Sequence, residues 1–153
     1  DEDIMSNKPE LRISFPGGKR VDAELNGRVI RTDQSRLAGG DASAPEPFAL
    51  FLASLGTCAG IYVLGFLQAR GLPTEGVEIK ERLDFDPASH SLKGVELEIQ
   101  VPDTIPEKYH AALVRAADTC AVKKVIQSEL EFDVHVETVA GETSWGVGAR
   151  AIA

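Results

Sequence analysis

Hydrophobic and polar residues alternate along most of this chain, and one long stretch interrupts the alternation. Leu11 to Phe15 (L-R-I-S-F) places apolar side chains at every second position and predicts a strand that ends at Pro16-Gly17-Gly18. Arg20 to Glu24 and Arg28 to Arg31 predict two more short strands. The Asn26-Gly27 pair between them is a strong hairpin signal. A polar loop from Thr32 to Pro45 follows. Pro47 to Ala69 is then wholly uncharged and predicts a single helix, opened by Pro45 and Pro47 and stopped by Gly71 and Pro73. Alternation returns over Val77 to Phe85, with some slippage, and over Leu92 to Val101, giving a second hairpin across Asp86 to His90. Helical spacing over Pro106 to Asp118 (Tyr109, Leu113, Ala116, Ala117) predicts a helix. Thr119 is the expected N-cap of another, Cys120 to Ser128. Phe132 to Val139 alternates once more and is the predicted last strand.

Antiparallel hairpins kept apart from the helices give an α+β fold, with antiparallel strands around one long buried central helix. The 23 uncharged residues of Pro47 to Ala69 also satisfy the length of a membrane span. The flanks argue for the soluble alternative: Glu46 precedes the run, a lone Arg70 follows, and no Lys/Arg cluster marks a cytoplasmic side. A helix apolar all round has to be covered all round, over a length of about 35 Å. A chain of 153 residues is too small to do that alone, so a homodimer is expected.

Composition narrows the function class. The length suits one domain. We expect residues 1–9 as a disordered N-terminus or a remnant ahead of a native Met5, a single domain over 10–140, and a C-terminal tail over 141–153 carrying Trp145. A net charge of −8 with scattered basic residues argues against nucleic-acid binding. The N-terminus shows no basic n-region followed by an apolar h-region. The two cysteines form no CxxC and no zinc spacing, which fits a reducing cytoplasm. His90, His110 and His135 share no spacing, so no metal site is expected.

The cysteines carry the candidate chemistry; the plain alternative is two inert buried thiols. Cys58 lies mid-helix among Ser54, Gly56, Thr57, Ala59 and Gly60, small neighbours that leave room beside the sulfur. Cys120 stands at a predicted helix start, where backbone N–H groups favour a thiolate. Cys58 lacks that help in the sequence. A cation from Arg28, Arg31 or Arg36 is expected to lower its pKa.

The run Pro45-x-Pro47-x-x-Leu50-x-Leu52-x-x-Leu55-Gly56-x-Cys58, with Cys120-x-Val122 following 62 positions after the first cysteine, resembles the OsmC/Ohr family. That family comprises osmotically inducible protein C and the organic hydroperoxide resistance proteins. The resemblance implies an intertwined α+β homodimer and a thiol peroxidase that reduces organic hydroperoxides. Cys58 would be the nucleophile and Cys120 the resolving thiol, with an external dithiol as reductant and no metal, flavin or nicotinamide. The family's glutamate early in the helix is absent; Phe48 or Ala49 stands in its place, with Glu46 just upstream as a substitute. Arg36, or else Arg28, would supply the family's arginine. Phe48, Phe51 and Tyr62 are core candidates that would also line an apolar substrate pocket. The alternative is an OsmC-like protein without efficient peroxidase activity, binding a small apolar or thiol-reactive ligand at the dimer interface.

Overall fold

The computed structural model describes residues 9–140; the expectations for residues 1–8 and for the tail 141–153 with Trp145 lie outside the described residues. Strands β1 (Arg12–Gly17), β2 (Arg20–Leu25) and β3 (Arg28–Thr32) form an antiparallel meander in that order. Asn26 and Gly27 both take positive φ (50° and 74°), as a two-residue turn between twisted strands requires. The register then runs from Leu25↔Arg28 to Val21↔Thr32.

The loop after β3 is built around a buried carboxylate. Asp33 is 1% exposed. Its Oδ1 accepts the Gln34 N–H at 2.7 Å, and its Oδ2 accepts the Ser43 hydroxyl at 2.6 Å and the Ser43 N–H at 3.0 Å. These donors, the Ser43 hydroxyl foremost, hold the Asp33 pKa down at about 2. A 3₁₀ turn, Arg36–Ala38, sits inside the loop with Ser35 as its N-cap.

Helix α1 spans Pro47–Ala69, the bounds its flanking prolines and glycine predict. Its buried stripe, Leu55, Ala59, Val63 and Leu67, repeats every four residues and so occupies one face. That stripe packs with Ile105, Leu113, Ala117 and Cys120 to make the core. The expectation of a helix covered on every side is met on this face only. Within one chain Phe48 is 50% and Ile61 59% exposed, because the elements that pack on α1 reach part of its circumference.

Strands β4 (Glu78–Phe85) and β5 (Leu92–Gln100) form the second hairpin, antiparallel from Glu78↔Gln100 to Phe85↔Leu92. The single helix expected over Pro106 to Asp118 is a 3₁₀ turn at Glu107–Tyr109 running into α2, His110–Asp118. Helix α3 is shorter than expected, Ala121–Ile126. Its N-cap is Cys120, while Thr119 terminates α2. The predicted strand Phe132 to Val139 does not form: residues 129–140 adopt neither helix nor strand. Its apolar phase stays in solvent, with Phe132 84%, Val134 91% and Val136 95% exposed. Alternation specifies a strand only where a sheet edge accepts it, and neither hairpin of this chain does.

Candidate active site

Helix α1 and the start of α3 bring the two cysteines together. Both thiols are free. Cys58 is half-buried on α1, and Cys120 is 2% exposed at the junction of α2 and α3. The chain turns sharply at Cys120 (φ −46°, ψ 120°), which aims the first N–H groups of α3 at sulfur. The Lys123 N–H donates to Cys120 Sγ at 3.4 Å. The Val122 N–H, the Cys120 thiol and the Ala121 N–H lie near the Cys58 sulfur. These donors lower the Cys58 pKa from its ordinary value, Val122 contributing most, while burial acts the other way. The Cys120 thiol donates to the Leu55 carbonyl oxygen at 3.9 Å, which seats it against α1.

This geometry corrects the reading of the helix start. The amides at the head of α3 lower the pKa of Cys58, on the neighbouring helix. Sequence spacing puts Cys120 at the helix start and is silent on which sulfur crosses in front of it.

The other candidates lie elsewhere. Arg36 is exposed on the 3₁₀ turn and Arg28 is exposed on β3. Neither guanidinium is among the groups that act on Cys58 in this chain. Glu46 precedes the first residue of α1, and its Oε1 accepts the Ser35 N–H at 3.0 Å, tying the loop to the helix start. It lies 12 positions before Cys58, about 18 Å along the helix axis. Phe48 and Phe51 stack with ring centroids 5.7 Å apart. Tyr62 is 37% exposed.

Two cavities flank α1. The larger, about 820 Å³, has Leu55, Leu97, Ile99, Leu113, Ala117 and Cys120 among its lining residues, with Lys93, His110 and Lys123 adding charged or polar groups. Cys120 therefore borders this space, whereas Cys58, Phe48, Phe51 and Tyr62 do not. The smaller, about 460 Å³, lies between α1 and β4 and contains Gly56, Gly60, Val63, Ile79 and Glu81.

Glu81 is the residue that sequence reasoning missed. It falls in phase with Val77, Ile79, Leu83 and Phe85 on the apolar side of β4, and that break in the pattern was the available signal. Its Oε1 is buried with no hydrogen-bond partner, and burial raises its pKa. A Cβ on Gly56 would stand 2.7 Å from Glu81 Oε2, so the carboxyl occupies the space that the glycine leaves open.

Comparison with known proteins agrees with this architecture. The sequence profile of the OsmC-like protein family matches residues 40–135. No curated protein sequence matches the chain significantly. Among solved structures, the fold resembles an osmotic stress induced and detoxification response protein from Psychrobacter arcticus 273-4. The TM-score is 0.66 and the identity 18%, over 80% of this chain and 90% of that one. An OsmC-like protein from Mycoplasma pneumoniae gives a TM-score of 0.61 at 13% identity, over 80% and 89% of the two chains. An OsmC-like protein of unknown function from Vibrio cholerae gives 0.57 at 10%, over 80% and 96%. With more than half its length matched by the family profile, and with this fold, the chain belongs to the OsmC-like protein family.

Proposed function

We propose that this protein is a cysteine-based peroxidase that reduces organic hydroperoxides, with Cys58 as nucleophile and Cys120 as resolving thiol. The observation that carries this reading is the thiol pair itself: two free cysteines, Cys120 seated against the Leu55 carbonyl on the helix that carries Cys58, with the Cys58 pKa lowered by the start of α3 and by the Cys120 thiol. The Cys58 thiolate attacks one oxygen of the O–O bond. That bond breaks, the alkoxide leaves and is protonated to the alcohol, and Cys58 becomes a sulfenic acid. The Cys120 sulfur then attacks Cys58. The S–S bond forms, and the hydroxyl leaves as water with the Cys120 proton. An external dithiol restores both thiols by two exchanges and is itself oxidised to a disulfide. Thiol chemistry of this kind calls on no metal, flavin or nicotinamide.

The proposal includes an intertwined homodimer in the cytoplasm. The exposed apolar face of α1 (Phe48, Ile61, Tyr62) and the unpaired alternating segment 132–139 support it, because each is a surface that a second copy would cover. Among the described residues no arginine of the same chain acts on Cys58, so Arg36 would have its place in the reaction at a second copy's site.

The test is to treat the reduced protein with excess cumene hydroperoxide and follow free thiols and the intramolecular disulfide, with Cys58→Ser and Cys120→Ser as controls. The proposal predicts loss of both thiols in the wild type and a trapped sulfenic acid in Cys120→Ser. A Cys58 that stays reduced under excess peroxide overturns it. One observation favours a second reading, ligand binding without efficient peroxidase activity: the apolar cavity of about 820 Å³ beside Cys120 is of ligand size. Under that reading an apolar ligand binds while peroxide leaves both thiols intact.

A further inference from the structure

Helix α3 has six residues, none of them fully buried, and a helix this short has little stability of its own. Its first turn has three N–H groups without intrahelical acceptors, and the one at Lys123 has the Cys120 sulfur as its acceptor. The other two, at Ala121 and Val122, lie near Cys58 and lower its pKa. The first carbonyl–amide bond of the helix runs from the Lys124 N–H to the Cys120 oxygen at 3.2 Å. The cap of α3 is thus one of the two sulfurs that would become a disulfide.

We propose that the Cys58–Cys120 pair is a redox-controlled fastener of α3: the reduced Cys120 sulfur caps the helix, and its conversion to a disulfide with Cys58 releases it. The inference rests on the thiol pair proposed above, and it adds a conformational consequence to that chemistry. An S–S bond draws the sulfurs to about 2.05 Å with a fixed torsion. Cys120 Sγ then leaves the Lys123 N–H and moves towards α1. The negative charge on Cys58 that attracts the Val122 and Ala121 amides is gone as well. The Lys123 donor loses its acceptor in that step.

The release also answers a question of access. Cys120 is 2% exposed, and an external dithiol has to reach a sulfur in line with the S–S bond. A loosened α3 opens that approach only in the state that needs reduction.

The test uses the full chain and diamide, a two-electron oxidant that takes two electrons and two protons from the thiols and becomes the hydrazine. Amide hydrogen exchange is compared in the reduced and oxidised states. The expected result is exchange about tenfold faster at Lys124, Gln127 and Ser128 after oxidation, with α1 and α2 unchanged. Cys120→Ala reproduces the faster exchange without oxidant, because the cap is deleted. Cys120→Ser keeps the protection, because a hydroxyl caps well, and diamide then has no effect. If the disulfide forms and α3 exchanges as before, the fastener is overturned while the thiol pair stands. If diamide leaves both thiols free, the sulfurs are not paired, and both proposals fall.

Discussion

The two sides of α1 treat their polar groups in opposite ways. On the α3 side Cys58 faces two backbone amides and a second thiol, and its pKa goes down. On the β4 side Glu81 is pressed against Gly56 among apolar atoms with one oxygen unpartnered, and its pKa goes up. The same helix carries a group prepared to ionise and a group held back from ionising. Burial is common to both; the number of donors is what differs. Asp33 shows the same rule at its limit, since a fully buried carboxylate with three hydrogen-bond donors stays ionised down to a pH of about 2.

Breaking the sulfur side gives the largest effect. Cys58→Ser removes the nucleophile, and peroxide consumption measured by dithiol turnover falls by about a thousandfold or more. Removing the satisfied carboxylate is next. Asp33 has its folded pKa depressed from 3.8 to about 2, so its contribution to stability is present above the unfolded value and disappears as pH falls through the folded one. Urea unfolding of Asp33→Asn should show lower stability at neutral pH and a flatter dependence across that acid window.

The β4 side is predicted to respond with the opposite sign. Glu81 has a raised folded pKa, so its carboxylate destabilises the fold above that pKa, and the cost vanishes as pH falls through it towards the unfolded value. Glu81→Gln should stabilise the protein at neutral pH by up to about 1 kcal/mol and have less effect in acid, read from urea midpoints. The smallest change sharpens the comparison most finely. Ala121→Pro deletes the lesser of the two amide donors at a first-turn position where proline is tolerated, after a Cys120 backbone already extended in ψ. Stability should rise by about 0.4–1 kcal/mol while the Cys58 pKa moves upward, measured by denaturation and by alkylation rate.

Much of this was legible in the chain. The bounds of α1 follow from an uncharged run closed by Pro47 at one end and Gly71-Leu72-Pro73 at the other. The first hairpin follows from Asn26-Gly27, and the second from the clean alternation of Val95 to Val101. The pairing of Cys58 with Cys120 came from family resemblance. Which sulfur the α3 amides address depends on how α3 crosses α1, a tertiary relation that sequence separation does not encode. Glu81 is visible as a polar residue in an apolar phase, but the pattern does not say that its carboxyl is buried against Gly56. Phe132 to Val139 has a strand's periodicity, and periodicity says nothing about whose edge will accept it. Arg36 is assigned to the site by family resemblance alone; among the described residues of one chain, the groups that lower the Cys58 pKa are the Val122 and Ala121 amides and the Cys120 thiol.

The central claim is that Cys58 is an activated thiol because the head of α3 donates to it. The most direct measurement is the pH profile of iodoacetamide alkylation at Cys58 in the reduced wild-type protein, read by peptide mapping. The account predicts a midpoint clearly below the ordinary thiol value of about 8.5. A midpoint at or above that value would contradict it.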